Sequence, residues 1–171
     1  MLKSNGGLVL RTARLILMPL RWTDEAEHAR ASRNAADALR DTRAADLQWQ
    51  EHGFGPWAIR DRRDNSFLGC AELRFAGAGI EGIAPDEVEA GWWVTEDRRN
   101  DGIATEAMQA AIGDLWSRRP DFESIKAYID EGNEPSGRLA IKLGFAMCGP
   151  GRGRSDEPMT VYDLSRPDPE R

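Results

Sequence analysis

Two cysteines and two histidines are all the thiols and imidazoles that this 171-residue chain offers for ligating metals or attacking carbonyls. Cys70 and Cys148 stand far apart and form no CxxC pair, which speaks against a zinc site or a disulfide framework and for buried free thiols. His28 and His52 come without an H-E-x-x-H spacing or a flanking His/Asp cluster, so no metal is expected. No run approaches the ~20 apolar residues of a membrane span, and the opening MLKSNGGLVLRTARL lacks the apolar stretch of a secretory signal; the expectation is a cytoplasmic protein with no membrane partner. Positive charge is also scarce: 23 Lys and Arg against 29 Asp and Glu leave a formal net charge of −6. A general nucleic-acid binder needs the opposite balance to neutralise phosphates. A local basic patch remains compatible with it, because charges more than ~8 Å apart are largely screened at physiological salt.

What is present describes an ordinary globular chain, with 40% hydrophobic and 30% charged residues. A chain of this length buries roughly 70% of the surface its unfolded form exposes, enough for one domain, expected over residues 8–166 with a frayed tail at 167–171. There is no repeat and no long linker. Arg14 to Leu20, RLILMPL, reads as a first strand. Thr23 can cap a helix through EAEHARASR, and Ala35 to Glu51 reads as a helix with a break. Pro56 to Arg60 and Phe67 to Phe75 read as antiparallel strands joined by a turn over Arg63, Asp64 and Asn65. Val88 to Val94, VEAGWWV, is a further strand. From Ile103, the positions Ile103, Ala107, Met108, Ala111, Ile112, Leu115 and Trp116 recur at three- and four-residue spacing, the pattern of an amphipathic helix on a sheet. Ser124 to Ile129 reads as a strand, and Asn133 can cap a helix that stops at Gly144. Strands are expected around Phe145 to Cys148 and Thr160 to Leu164. Between them, GPGRGRSDEP reads as a mobile hairpin connection in preference to a phosphate loop.

The segment from Trp92 to Met108, WWVTEDRRNDGIATEAM, joins a strand to that long helix through a charged break. A helix start exposes several backbone N–H groups that the helix itself does not pair. Gly102 allows a positive φ and close approach there, and Arg98 and Arg99 place cations beside the helix's positive end, so an anion such as phosphate is the natural guest. The other reading is a helix cap with two solvated arginines. No GxxxxGK[ST] string exists for a nucleotide-phosphate loop, and no G-x-G-x-x-G for a dinucleotide. The string from Arg99 to Ala104, RNDGIA, resembles the R/Q-x-x-G-x-G/A motif by which the GCN5-related N-acetyltransferase (GNAT) family grips the pyrophosphate of acetyl-coenzyme A. Downstream, the residues from Asn133 to Phe145, with Ser136, Arg138 and Lys142 at the matching places, resemble that family's second motif. The opening RTARLILMPLRWTDEAE resembles the RimJ/RimL-like branch, whose members acetylate ribosomal-protein alanine termini. The resemblance runs from about Leu10 to Leu164.

The resemblance implies an α/β (α+β) fold: a mixed, mostly antiparallel sheet of about seven strands with flanking helices. The fourth and fifth strands, here Val88 to Val94 and Ser124 to Ile129, would be parallel and splayed by a bulge, for which Gly91 is the suited place. It implies that Trp93 and Val94 pair with the pantetheine arm, and that Arg98, Arg99, Asn100, Asp101, Gly102, Ile103 and Ala104 hold the pyrophosphate. Asn133 would reach the arm, and the Ser136 hydroxyl would lie near the coenzyme sulfur and protonate the departing thiolate. Arg138 and Lys142 would meet the ribose phosphate, a solvated helix face being the other reading. Asp101 departs from the pattern, placing a negative charge beside the phosphates at a cost of ~1 kcal/mol.

An acceptor amine must be neutral to attack a thioester. At pH 7 that costs about 4.6 kcal/mol for a lysine side chain and only about 1 for a protein α-amino group. Alternation along VEAGWWV puts Glu89, Gly91 and Trp93 on one face, making Glu89 the candidate base, with an ion-paired glutamate as the alternative. Tyr128 and Tyr162 are weaker candidates for proton transfer. Trp57 reads as core, Trp92 and Trp93 as core with one of them as a wall of the acceptor channel being the other reading, and Trp49 as core or as part of a substrate entrance. The acidic cluster Asp86, Glu87 and Glu89 favours a cationic acceptor. Neither cysteine has a recognisable histidine partner, so direct attack is expected in preference to a covalent acetyl-enzyme. The expected activity is transfer from acetyl-CoA to a primary amine, preferably a protein N-terminus, with a homodimer left open. The rivals are a small-molecule amine acetyltransferase, acting on a polyamine or antibiotic, and a non-catalytic CoA sensor or interaction module.

Overall fold

A computed structural model describes residues 8–31 and 35–167. Its strands are β1 (Leu10–Arg11), β2 (Leu15–Pro19), β3 (Trp57–Asp61), β4 (Phe67–Phe75), β5 (Val88–Val94), β6 (Ser124–Asp130), β7 (Ala146–Arg152) and β8 (Pro158–Ser165). Its helices are α1 (Glu25–Ala31), α2 (Ala35–His52), α3 (Ile103–Arg118) and α4 (Glu134–Lys142). The strands hydrogen-bond in the order β1-β2-β3-β4-β5-β6-β8-β7. The pairs β1·β2, β2·β3, β3·β4, β6·β8 and β7·β8 are antiparallel, and β5·β6 is parallel. The sheet thus has eight strands where about seven were expected; β1 has only two residues, too short for an alternation pattern to betray it.

The chain forms two compact units. The first comprises Met1–Glu72 and Trp92–Ala111. Its strand β2 alternates, burying Leu15 and Leu17 while Met18 faces outward. All five residues of β3 are buried, and the charge of Arg60 among them is satisfied by Asp24 at 3.0 Å, Glu27 at 2.5 Å and the Asn65 carbonyl at 3.1 Å. Trp49 is core: its indole N–H donates to the Pro56 carbonyl at 2.6 Å, and its ring meets Trp57 edge-on at 4.7 Å. Two local expectations change. Thr23 sits inside a 3₁₀ turn, Trp22–Asp24, whose Asp24 carboxylate accepts the Arg21 N–H at 2.8 Å, so aspartate does the capping. Helix α2 runs unbroken, having neither glycine nor proline between Ala35 and His52. Of the expected helix through EAEHARASR, Ser32 and Arg33 lie outside the described residues.

The second unit comprises Leu73–Gly91 and Ile112–Arg171. Strand β6 buries Ile125, Ala127 and Ile129 in strict alternation, and its outward Lys126 pairs with Asp163 at 2.6 Å. Helix α4 starts on Asn133, whose side chain accepts the Ser136 N–H at 3.3 Å. It stops where Gly144, at φ +96°, lets the Gly144 and Phe145 amides turn back to the Ile141 and Ala140 carbonyls, each at 3.0 Å. The glycine- and arginine-rich stretch after Cys148 corrects the expectation of a loose connection. Gly149, Pro150, Gly151 and Arg152 are laddered onto β8, opposite Val161, Thr160, Met159 and Pro158, and only a tight turn is left beyond them. Cys70 is fully buried, and burial pushes its thiol well up. Cys148, expected to be buried as well, is exposed on β7. Of the tail expected at 167–171, residues 168–171 lie outside the described residues.

Candidate active site

The break between β5 and α3 is built to leave amides bare. The Thr95 N–H bonds the Leu68 carbonyl at 2.8 Å, and a 3₁₀ turn over Glu96–Arg98 follows. Asn100 at φ +65° and Gly102 at φ +76° then swing the chain into the helix. The first recorded helical bond runs from the Glu106 N–H to the Gly102 carbonyl at 3.1 Å. Among the described residues, no protein oxygen accepts from the amides of Gly102, Ile103, Ala104 and Thr105. These N–H groups point out of the positive end of a 16-residue helix, the arrangement that favours an anion. A Cβ built on Gly102 would meet only Arg14 Nη2, at 3.5 Å, so glycine is required there by its φ and not by crowding.

The cations around this loop are less free than the sequence implied. Arg98 holds Asp61 through Nη1 and Asp101 through Nε, each at 3.2 Å. Arg99, half exposed, lies 3.8 Å from Glu96. Arg14 donates from Nη1 to the Asp101 carbonyl at 2.8 Å and from Nε to Glu106 at 2.7 Å, and Thr12 adds a 2.5 Å bond to the same carboxylate. Asp61 is held far below the usual carboxylate range, first by Arg63 and then by Arg98. The departure at Asp101 is therefore partly compensated locally, because its carboxylate is turned onto Arg98.

Along β5, Gly69 of β4 presses against Trp93: a Cβ there would run into the Trp93 carbonyl oxygen and stand 2.9 Å from Val94 Cα. Trp93 therefore directs its main chain at β4, and by alternation Val94 directs its own away. The parallel ladder with β6 takes in Val88, Glu89 and Ala90 only, ending one residue before Gly91. The recorded register shift near this strand lies in β4, where Gly69 and Phe67 face the consecutive residues Ile59 and Arg60 and leave Leu68 extra. Packed on Trp93 and Phe67 is His28, at ring separations of 5.2 and 6.2 Å. Its Nδ1 is the one buried side-chain nitrogen or oxygen among the described residues without a partner.

In the second unit, Glu89 is 8% exposed and lies between two guanidinium groups, Arg74 and Arg154, each 3.5 Å from the same oxygen. Arg154 also donates to the Ala76 carbonyl. Tyr128 gives its hydroxyl proton to the Glu81 carbonyl at 2.7 Å, and burial raises the phenol further, so it is poorly placed to release a proton. Tyr162 is buried, its hydroxyl 2.9 Å from where a Gly137 Cβ would stand. Asn133 and Ser136 share the first turn of α4, with Ser136 half-buried. Arg138 pairs with Glu134 at 3.2 Å on an exposed helix face, and Lys142 is exposed. Sequence reasoning missed the Arg154–Glu89 contact, whose one signal was the arginine content of the hairpin. It also missed the Asp61–Arg98 pair, which no local pattern announces.

Comparison with known proteins gives consistent findings. A family model described as the Acetyltransferase (GNAT) domain matches residues 14–146. A Bacillus subtilis protein named YkkB, itself uncharacterized, is 29% identical over 124 residues, which are 68% of this chain. The match spans 65% of that relative's own length. Among solved structures, a protein described as a GnaT-family acetyltransferase from Bordetella pertussis superposes with a TM-score of 0.78 at 24% identity, covering 92% of this chain and 99% of that one. RimL, described as a ribosomal alpha-N-protein acetyltransferase and solved with coenzyme A, gives 0.73 at 14% identity, over 92% and 98% of the two chains. At these identities the structures attest the fold.

Proposed function

The chain belongs to the GNAT acetyltransferase family, and from that premise we propose that it transfers an acetyl group from acetyl-CoA to a primary amine, with a protein N-terminal α-amine as acceptor. One observation carries the reading: the unengaged amides from Gly102 to Thr105 at the start of α3, shaped by two positive-φ residues, suit a diphosphate. In this reading the loop of Arg98, Arg99, Asn100, Asp101, Gly102, Ile103 and Ala104 grips the pyrophosphate. Trp93 and Val94 meet the pantetheine arm, Val94 with the main-chain groups it turns away from β4. Asn133 and Ser136 meet the arm near its sulfur, and Arg138 serves the nucleotide end. The whole of residues 8–166 is assigned to one catalytic domain.

Bound acetyl-CoA supplies an activated thioester. The chain's own work is to orient the acceptor, remove its proton and return one to the leaving sulfur. Glu89 takes the amine proton directly or through a water, its carboxylate held in place between Arg74 and Arg154. Ser136 Oγ–H donates to the departing thiolate. An α-amine needs only about 1 kcal/mol to be neutral at pH 7, which a single partly shielded carboxylate can serve. The same enzyme would face about 4.6 kcal/mol with lysine side chains, which favours the N-terminal acceptor.

The test is thiol release from acetyl-CoA with a panel of N-terminal peptides, polyamines and aminoglycosides. Turnover with peptides above the amines supports the reading, turnover with amines alone moves the acceptor to a small molecule, and binding without turnover makes the protein a sensor.

A further inference from the structure

In a chain of net charge −6, four arginines gather around one cavity beside the phosphate loop. The cavity, about 490 Å³, is lined by Ala13, Arg14, Asp61, Arg62, Arg63 and Arg98. Three of these arginines have carboxylate partners: Arg14 has Glu106, Arg63 has Asp61, and Arg98 has Asp61 and Asp101. Arg62 is different. Its recorded acceptor is the Thr12 carbonyl at 3.0 Å, a neutral group, and it is exposed. Among the described residues the fourth cation is thus left without a counter-charge at the rim of the cavity, and the side chain of Arg63 beside it, though paired with Asp61, is 80% exposed. A folded protein that carries excess acid elsewhere places one uncompensated guanidinium, Arg62, beside three paired ones, where a doubly charged, multi-oxygen anion could be held bidentately.

The cavity is tied to the loop by two residues that belong to both. Arg98 lines the cavity and precedes the bare amides, and Arg14 lines it while donating to the Asp101 carbonyl and reaching within 3.5 Å of the Gly102 Cβ position. A ligand with a diphosphate on the amides and a second phosphate one ribose away meets both features. We propose that this arginine cavity is a phosphomonoester site which, on the coenzyme reading given above, takes the 3′-phosphate of the coenzyme's ribose, with Arg62 as the residue that distinguishes CoA from its 3′-dephospho form. Arg138, paired to Glu134 on an exposed helix face, is left without that role.

Calorimetry of the full chain with CoA and with 3′-dephospho-CoA tests this without any turnover. The expected result is a 10- to 100-fold preference for CoA, about the worth of one or two charge-assisted hydrogen bonds, that shrinks to within about threefold in Arg62→Gln and vanishes or inverts in Arg62→Glu. The affinity for 3′-dephospho-CoA should stay within about twofold in both variants. Inorganic phosphate should compete with CoA more strongly than with 3′-dephospho-CoA, which can be displaced from the amides only, and Arg62→Gln should remove the difference. A preference that survives both Arg62 variants and disappears in Arg138→Gln overturns the assignment, as does phosphate that competes equally with both coenzymes or with neither. Equal and tight binding of the two coenzymes by the unmodified protein removes the phosphomonoester site and leaves the coenzyme reading standing. Binding of neither removes both.

Discussion

Replacing Gly69 by alanine tests how the sheet positions the strand that would grip the coenzyme. The added Cβ would overlap the Trp93 carbonyl oxygen and stand 2.9 Å from Val94 Cα and 3.0 Å from the Trp93 carbonyl carbon. Carbon atoms rest at about 3.5–4.0 Å, so β4 and β5 must part by roughly 0.5–1 Å. All of the atoms met are main chain, so no side-chain rotation relieves the clash. Overpacking of this kind costs about 1–3 kcal/mol, and a residue with a Cβ at φ +148° adds about 1–3 kcal/mol of strain. Partial relief of each by the other leaves about 2–4 kcal/mol, which for a chain of this size lowers Tm by roughly 5–15 °C. The same displacement carries Trp93 and Val94 with it, so affinity for CoA should fall alongside stability. Thermal melts and CoA titrations of Gly69→Ala measure both. A melting midpoint within about 1 °C of the unmodified protein would refute the close approach on which the positioning argument rests.

Three further outcomes follow from the site. Gly102→Val should abolish CoA binding while costing only about 1–3 kcal/mol of stability, because the strain is confined to one positive-φ residue at a surface loop; calorimetry beside a urea titration separates the two effects. Glu89→Gln should lower kcat about 100-fold with little change in CoA affinity, and a pH–rate curve identical to that of the unmodified enzyme would acquit the carboxylate. His28 is held neutral mainly by burial, against the pull of Asp41 and Asp24, so its native pKa lies below the ordinary imidazole value. The unfolded chain therefore takes up this proton first on acidification: the stabilisation is full above about pH 6.5 and is lost as pH falls toward the lowered native value. Urea midpoints at pH 7.5 and 5.5 should show a drop that His28→Phe reduces; an unchanged drop would place the pH dependence elsewhere.

Much of this architecture was legible because local chemistry and tertiary structure agree. The run VEAGWWV forms β5 over the same residues, and the apolar spacing from Ile103 gives α3 from its first residue. Asn133 and Gly144 bound α4 as their side-chain chemistry and backbone freedom require. The bare amides at the start of α3 were legible for the same reason, since a strand, a glycine and a helix start fix where amides are exposed. What stayed hidden depends on pairs far apart in sequence. Arg98 was read as a free cation, yet Asp61, 37 residues earlier, holds it. Arg154 was read as part of a loose hairpin, yet it reaches Glu89, 65 residues away, and the ladder of β7 on β8 carries it. The break expected in α2 is absent because no proline or glycine enforces one between Ala35 and His52.

The amides of Gly102, Ile103, Ala104 and Thr105 can be read one by one through hydrogen exchange followed by NMR, with and without CoA. The account predicts fast exchange in the free protein and marked slowing at these four positions when CoA is added, with no slowing in Gly102→Val. Exchange that is already slow in the free protein, or that stays fast with CoA bound, would contradict it.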